Sequence, residues 1–357
     1  MRTLFWQDDS LSMIDQRRLP ASLEVISLHT CAETARAIRE MVVRGAPAIG
    51  VAAAFGLALA ARESRAAERQ ALLAELGAAA ETLRATRPTA VNLAAALERM
   101  LAAAGAHPGG VAELRQAVLA EAQKMADEDV AANRRMGELG SDLIEDGDTI
   151  LHHCNTGALA GVDWGTALGV VRAAHEQGKQ VHVLVDETRP RLQGARLTAW
   201  ELDQYGIPYE IITDGMAGYF LRSQQVQKVL FGADRIAANG DVANKIGTYM
   251  LALAAHANRV PVYCVAPTSS IDLSLEDGGG IPIEERDPQE VLGIQFMGEQ
   301  VMPAGARARN PAFDVTPHPL IDAVVTEKGI VRPPYPRNLR RIVHSGHGGE
   351  PRPRHAS

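Results

Sequence analysis

Of the three cysteines in the chain, Cys154 stands apart by its setting. It closes the β-like run ILHHC and precedes NTGALAG, between a strand end and an expected helix start. N–H groups and the helix dipole favour a thiolate at such a place. Gly157 and Gly161 would let backbone approach a ligand there. Position alone leaves this reading level with a plainer one, a small loop residue packed under a helix. Cys31 opens a helical segment and Cys264 lies inside VPVYCVAP, both settings of inert packing. Carboxylates fall at similar strand ends: Asp186 and Glu187 after VHVLV, Asp214 after EIIT, and Asp234 after VLFGA. Taken singly, each reads first as a turn former or cap. His152 and His153 alternate on their strand, so only His152 shares a face with Cys154, and both read as structural hydrogen-bonding residues. No histidine has metal-ligand spacing and no Cys-x-x-Cys pair occurs, so no metal site is expected.

Three segments suit an anion. Arg44-Gly45-Ala46-Pro47 precedes a long apolar run, with Pro47 fitted to a first helical turn. That puts a guanidinium beside free N–H groups at a helix start. Asn244-Lys245 before IGTYMLALAAHA repeats the arrangement, and Arg87-Pro88-Thr89 is a third candidate. Each cation by itself reads as a solvated charge. Neither a G-x-G-x-x-G after a strand nor a G-x-x-x-x-G-K-[ST] accompanies them, which disfavours a dehydrogenase or a P-loop phosphotransferase. Three anion sites without a nucleotide motif favour a sugar phosphate, and no cofactor is expected.

These residues need elements to position them. Residues 1–28 carry alternation in SLEVISL, the mark of a small β-element. From about Thr30 to Ile144 alanine and leucine recur at helical spacing, with turn signals at Arg44–Pro47, Arg87–Pro88 and His107–Gly110. Thereafter short β-rich runs, Thr149–Cys154, Gln180–Asp186, Tyr209–Thr213, Lys228–Phe231 and Val260–Val265, alternate with helical stretches at Val162–Gln177, Gln193–Tyr205 and Lys245–Asn258. Strand, helix, strand in succession predicts parallel pairing with right-handed crossovers. The expected architecture is α/β: a mainly helical domain over residues 1–125, a doubly wound parallel-sheet domain over 126–345, and a flexible tail over 346–357. Open parallel sheets bind ligands beyond the carboxyl ends of their strands, where Cys154 and the carboxylates gather.

The 357 residues allow one large or two ordinary domains, and a formal net charge of -7 gives no general attraction to nucleic acid or anionic membrane. An odd, sparse cysteine set argues for a reducing, cytoplasmic setting. The start lacks a signal-peptide layout, and the apolar run Ala48–Ala61 reads as a buried core helix rather than a membrane span.

Six segments carry a resemblance: SMIDQRRLP, MVVRGAPAIGVAAAFG, ATRPTAVNLAAAL, HCNTGALA, VDETRPRLQGARLTAWEL and FGADRIAANGDVANKIGTY. Together they resemble the S-methyl-5-thioribose-1-phosphate isomerases of methionine salvage, in the superfamily that includes regulatory subunits of translation initiation factor two-B. The resemblance runs from about residue 6 to 335. It implies a helical amino-terminal part, a Rossmann-like carboxy-terminal domain, a homodimer and an aldose–ketose isomerisation that needs no cofactor. By position it implies Cys154 and Asp234 as catalytic, and Arg44, Gly45, Ala46, Arg87, Gln193, Asn244 and Lys245 as substrate-binding. Gln193 comes from the resemblance alone. Isomerisation of 5-deoxyribose 1-phosphate or ribose 1,5-bisphosphate, and a non-catalytic regulatory subunit, are the alternatives.

Overall fold

A computed structural model of the chain describes residues 1–88 and 90–345. Thr89 of the third anion segment, and the tail expected over 346–357, lie outside the described residues. The alternation near the start forms an antiparallel sheet of β1 (Leu4–Gln7), β2 (Ser10–Ile14) and β3 (Val25–Leu28). Five helices follow: α1 (Cys31–Arg39), α2 (Ala46–Glu63), α3 (Arg69–Arg84), α4 (Val91–Ala106) and α5 (Val111–Ser141). α2 is apolar on all sides because it is the centre of this layer, packed by α1, α3, α4 and α5. It is long and apolar enough to cross a membrane by length and composition, yet most of it is buried inside the protein. α5 passes through residue 126, so the boundary expected there falls inside a continuous helix. Its Leu114, Val118, Ala122 and Ala126 belong to the helical core, while Met136 belongs to the core under the next sheet.

That sheet has seven strands, all parallel except one edge. β4 (Thr149–His152), β5 (His182–Asp186) and β6 (Tyr209–Ile212) run outward to one side. β7 (Lys228–Phe231), β10 (Val262–Val265) and β15 (Ala323–Thr326) run outward to the other, and β16 (Gly329–Val331) closes that edge antiparallel. Each of the first five lies within two residues of its expected position, because short, β-branched apolar runs such as VLV and VYCV suit strands covered on both faces. α6 (Ala167–Glu176), α7 (Ala199–Tyr205), α8 (Ala217–Arg222) and α9 (Thr248–Ala257) are the crossover helices. One π-helical turn, Gly194–Thr198, leads into α7.

The sequence reading missed a second sheet. β8 (Arg235–Ala237) and β9 (Val242–Lys245) form a hairpin that pairs with β11 (Ile271–Asp272) on one side and β14 (Phe313–Thr316) on the other. Between β11 and β14 lies an irregular segment with α10 (Gln289–Leu292) and the small hairpin β12 (Gln295–Phe296) and β13 (Glu299–Gln300). α11 (Tyr335–His344) ends the described chain.

Candidate active site

The strand order reverses direction between β4 and β7, which are hydrogen-bonded neighbours. Such a switch point opens a crevice beyond the carboxyl ends of the two strands. Cys154 lies two residues past β4 and Asp234 three past β7, so the fold itself brings this thiol and this carboxyl to one crevice. All nine residues singled out from the sequence line it: Cys154, Asp234, Arg44, Gly45, Ala46, Arg87, Gln193, Asn244 and Lys245. The other strand-end carboxylates do different work. Asp186 Oδ2 pairs with His153 Nδ1 at 3.0 Å, and Asp214 accepts the N–H groups of Thr188 and Arg189 at 2.8 Å each.

The first helical layer supplies one wall. Gly45, at φ 99°, turns the chain from Arg44 into α2. A Cβ on Gly45 would lie 2.4 Å from the Ala160 carbonyl oxygen, so only glycine lets α2 approach the loop after Cys154 this closely. Arg44 donates to the Asn155 carbonyl at 3.3 Å and to its side-chain oxygen. Arg44 Nε and Gln193 Oε1 are buried and have no hydrogen-bond partner among the described residues. Buried polar atoms without a protein partner are open to water or to a ligand.

Two placements differ from expectation. Cys154 does not stand at a helix N-terminus: α6 begins only at Ala167, after a turn of 3-10 helix at Ala158–Ala160. Instead of a depressed thiol pKa, burial pushes the Cys154 thiol up, against the pull of Arg44, Lys245 and the Asn155 N–H. Asn244 and Lys245 end β9 rather than heading a helix, since α9 begins at Thr248. Lys245 Nζ donates to the Ala312 carbonyl at 2.7 Å and lies 4.7 Å from the Phe313 ring centre. Burial lowers its pKa, with Cys154 and Asp234 opposing.

Asp234 has its pKa raised, chiefly by burial and further by Glu284, although Lys245, Arg87 and Arg44 pull it down. A carboxyl held protonated beyond the usual range can serve as an acid. His152 is fully buried, bonded to Thr156 at 2.8 Å, and burial depresses its pKa to about 3. It is a neutral structural group. His153 Nε2 faces the Ile246 carbonyl at 3.0 Å while Nδ1 faces Asp186, so both ring nitrogens are engaged. His153, Asp186 and Asp214 have potential ligand atoms within 4.8 Å of one another. Those bonds leave the imidazole no free nitrogen for a cation.

The sequence reading passed over Arg191 and Arg286, which also line the crevice. Both bind the same oxygen of Glu290, at 3.0 and 2.7 Å, so one carboxylate partly neutralises two cations. Glu284, on the same irregular segment, pairs with Arg87 at 3.2 Å. Arg191 lay inside a segment of the resemblance. Arg286 carried no signal, since it arrives from a loop whose fold depends on β14.

The sequence matches the Initiation factor 2 subunit family over residues 42–333. A methylthioribose-1-phosphate isomerase from Synechococcus sp. is 53% identical over 342 residues, covering 96% of this chain and 98% of that protein. The crystal structure of 5-methylthioribose 1-phosphate isomerase from Pyrococcus horikoshii OT3 is similar with a TM-score of 0.89 at 46% identity, covering 96% of this chain and 95% of that one. A structure from A. fulgidus described as translation initiation factor eIF-2B, subunit delta, is similar with a TM-score of 0.86 at 46% identity, covering 96% and 99%. Agreement over nearly the whole length of both chains leaves one conclusion: the chain belongs to the methylthioribose-1-phosphate isomerase family, within the wider Initiation factor 2 subunit family.

Proposed function

We propose that this protein converts 5-methylthioribose 1-phosphate to 5-methylthioribulose 1-phosphate in methionine salvage, with Asp234 as acid and base and Cys154 beside the migrating hydrogen. The observation that carries the reading is the meeting of a neutral thiol and a carboxyl of raised pKa at one switch point, ringed by cations. Arg44, Arg87, Gln193, Asn244 and Lys245, with the N–H groups at Gly45 and Ala46, are read as holding the substrate.

The substrate is an aldose whose C1 oxygen is esterified, so its ring does not open as a free hemiacetal does. Protonated Asp234 donates to the ring oxygen as the C1–O4 bond breaks, leaving a 4-hydroxyl and an electron-poor C1. Hydrogen then moves from C2 to C1, and the 2-hydroxyl proton returns to Asp234, giving a C2 ketone and reprotonated acid. Oxidation at C2 equals reduction at C1, so the step balances within the substrate. A thiol held neutral is a poor base, which supports transfer as a hydride, with the polarisable sulfur of Cys154 stabilising the electron-poor carbon. A cytoplasmic homodimer completes the reading. Its support is three buried cysteines without a disulfide, and an exposed apolar face on α8 and α9.

The test is NMR of the purified protein with 5-methylthioribose 1-phosphate, 5-deoxyribose 1-phosphate and ribose 1,5-bisphosphate, each without added cofactor. The first is expected to yield its ketose 1-phosphate fastest, with a C2 deuterium label retained at C1. Solvent hydrogen at C1 would replace the hydride by a proton route, and no ketose from any of the three would end the isomerase reading. Cys154→Ala and Asp234→Asn should each lose turnover by about a hundredfold or more while still binding substrate.

A further inference from the structure

Cys154 has a left-handed backbone, φ 67°, which a residue with a Cβ adopts only where its surroundings enforce it. Two fully buried threonines flank it, one at each end of the residue. The Cys154 N–H donates to Thr188 Oγ1 at 2.9 Å, and the Cys154 carbonyl accepts from Thr198 Oγ1 at 2.7 Å. Each hydroxyl has its only proton committed. Thr188 Oγ1 spends its proton on the Asp186 carbonyl at 2.9 Å, and Thr198 Oγ1 also accepts from the Asn155 amide at 3.2 Å. Each therefore donates once and accepts once, in a bonding pattern that valine cannot reproduce and serine can.

The two threonines come from different devices. Thr188 follows β5 and is itself left-handed at φ 61°, its N–H fixed on Asp214. Thr198 closes the π-helical turn before α7, a form of helix that recurs where a side chain must be re-aimed. We infer that Thr188 and Thr198 are positioning residues that clamp Cys154 in its strained conformation, so that its thiol meets the crevice. Through Asn155, which Arg44 and Glu201 also hold, the clamp reaches the cationic wall as well.

This inference rests on Cys154 acting in the isomerisation, and the experiment separates the two. Thr188→Val, Thr198→Val, Thr188→Ser, Thr198→Ser and Cys154→Ala are compared in the full chain. The readouts are kcat and KM on 5-methylthioribose 1-phosphate, the melting curve, and the pH profile of Cys154 alkylation by iodoacetamide, read by peptide mass spectrometry. Each valine variant should lower kcat by about tenfold to a hundredfold with KM little changed, as a small displacement of a reacting group does. Each should also displace the alkylation profile, a change that lost packing alone would not cause. The serine variants should match the parent in kcat, KM and alkylation, with only the melting point lowered by the lost methyl. Should a valine variant lose its melting transition, the smaller Thr188→Ala or Thr198→Ala replaces it. Valine variants with parental kcat and alkylation, or serine variants as impaired as valine, would overturn the clamp. Parental turnover in Cys154→Ala would instead remove the catalytic reading of the thiol, whatever the threonines do.

Discussion

At the scale of single residues, the site sets burial against cations and lets burial prevail. The Asp234 carboxyl gains from losing its charge, although Lys245, Arg87 and Arg44 all favour the ionised form. If the protonated form is the working acid, kcat/KM must fall as pH rises through its elevated pKa. Removing a neighbouring cation should move that limb, and the sign can be fixed in advance. Arg87 is the best choice, because a guanidinium does not titrate and leaves no second ionisation to confuse the profile. Arg87→Gln withdraws a charge that stabilised the carboxylate, and so raises the Asp234 pKa further. The acid form then persists to higher pH, so the alkaline limb of kcat/KM should shift upward while KM increases. A limb that stays in place, or moves to lower pH, would show that another group sets it. The sequence made the identities of these residues legible but not their ionisation. Cys154 was placed at a strand end correctly, yet its expected thiolate depended on a helix that begins only at Ala167. Burial could not be read from spacing.

At the scale of elements, what the sequence could reveal divides by the range of the contacts involved. Strands covered on both faces and the Gly-Ala-Pro start of α2 are local patterns, and they fell within two residues of expectation. β9 is only half local: its start pairs with β8 in a hairpin, but Lys245 pairs with Phe313 and Asn244 with Asp314, so its end is fixed by a segment far along the chain. Arg286 and Glu284 depend on the same return, which explains why spacing gave no sign of them. The turn at Gly45 is the opposite case, a local signal with a long-range consequence. Its φ of 99° and the 2.4 Å separation of an added Cβ from the Ala160 oxygen make it a hinge point between α2 and the Cys154 loop. Gly45→Ala should cost about 1–3 kcal/mol from backbone strain alone. Displacement of Ala160 should also carry the N–H groups and Arg44 away from the crevice. Urea unfolding is expected to show a lower midpoint, and kinetics a raised KM. A variant with parental KM and midpoint would mean that the loop yields without consequence for the site.

At the scale of the whole molecule, the two cores are joined by α5, and the crevice lies where the helical layer meets the switch point of the sheet. Away from the crevice, α8 and α9 carry exposed apolar residues. Tyr219 on α8 is 66% exposed and Met250 on α9 is 70% exposed, and the two helices pack side by side. Leu253 and Tyr249 on α9 and Met216 just before α8 are exposed as well. Where exposed apolar side chains on neighbouring helices join into one patch, they mark a contact with another protein surface. In a homodimer a two-fold axis would set this patch against its own copy, and isologous packing needs only one self-complementary face. Met250→Glu would put a charge into that contact twice, once from each copy. The parent chain should sediment at twice the chain mass, and Met250→Glu at the chain mass when diluted to low micromolar concentration. Since Met250 does not line the crevice, the variant's thermal transition should remain cooperative while its midpoint falls and becomes dependent on protein concentration. A parent that sediments as a monomer, or a Met250→Glu variant that stays at twice the chain mass, would move the dimer contact off this face.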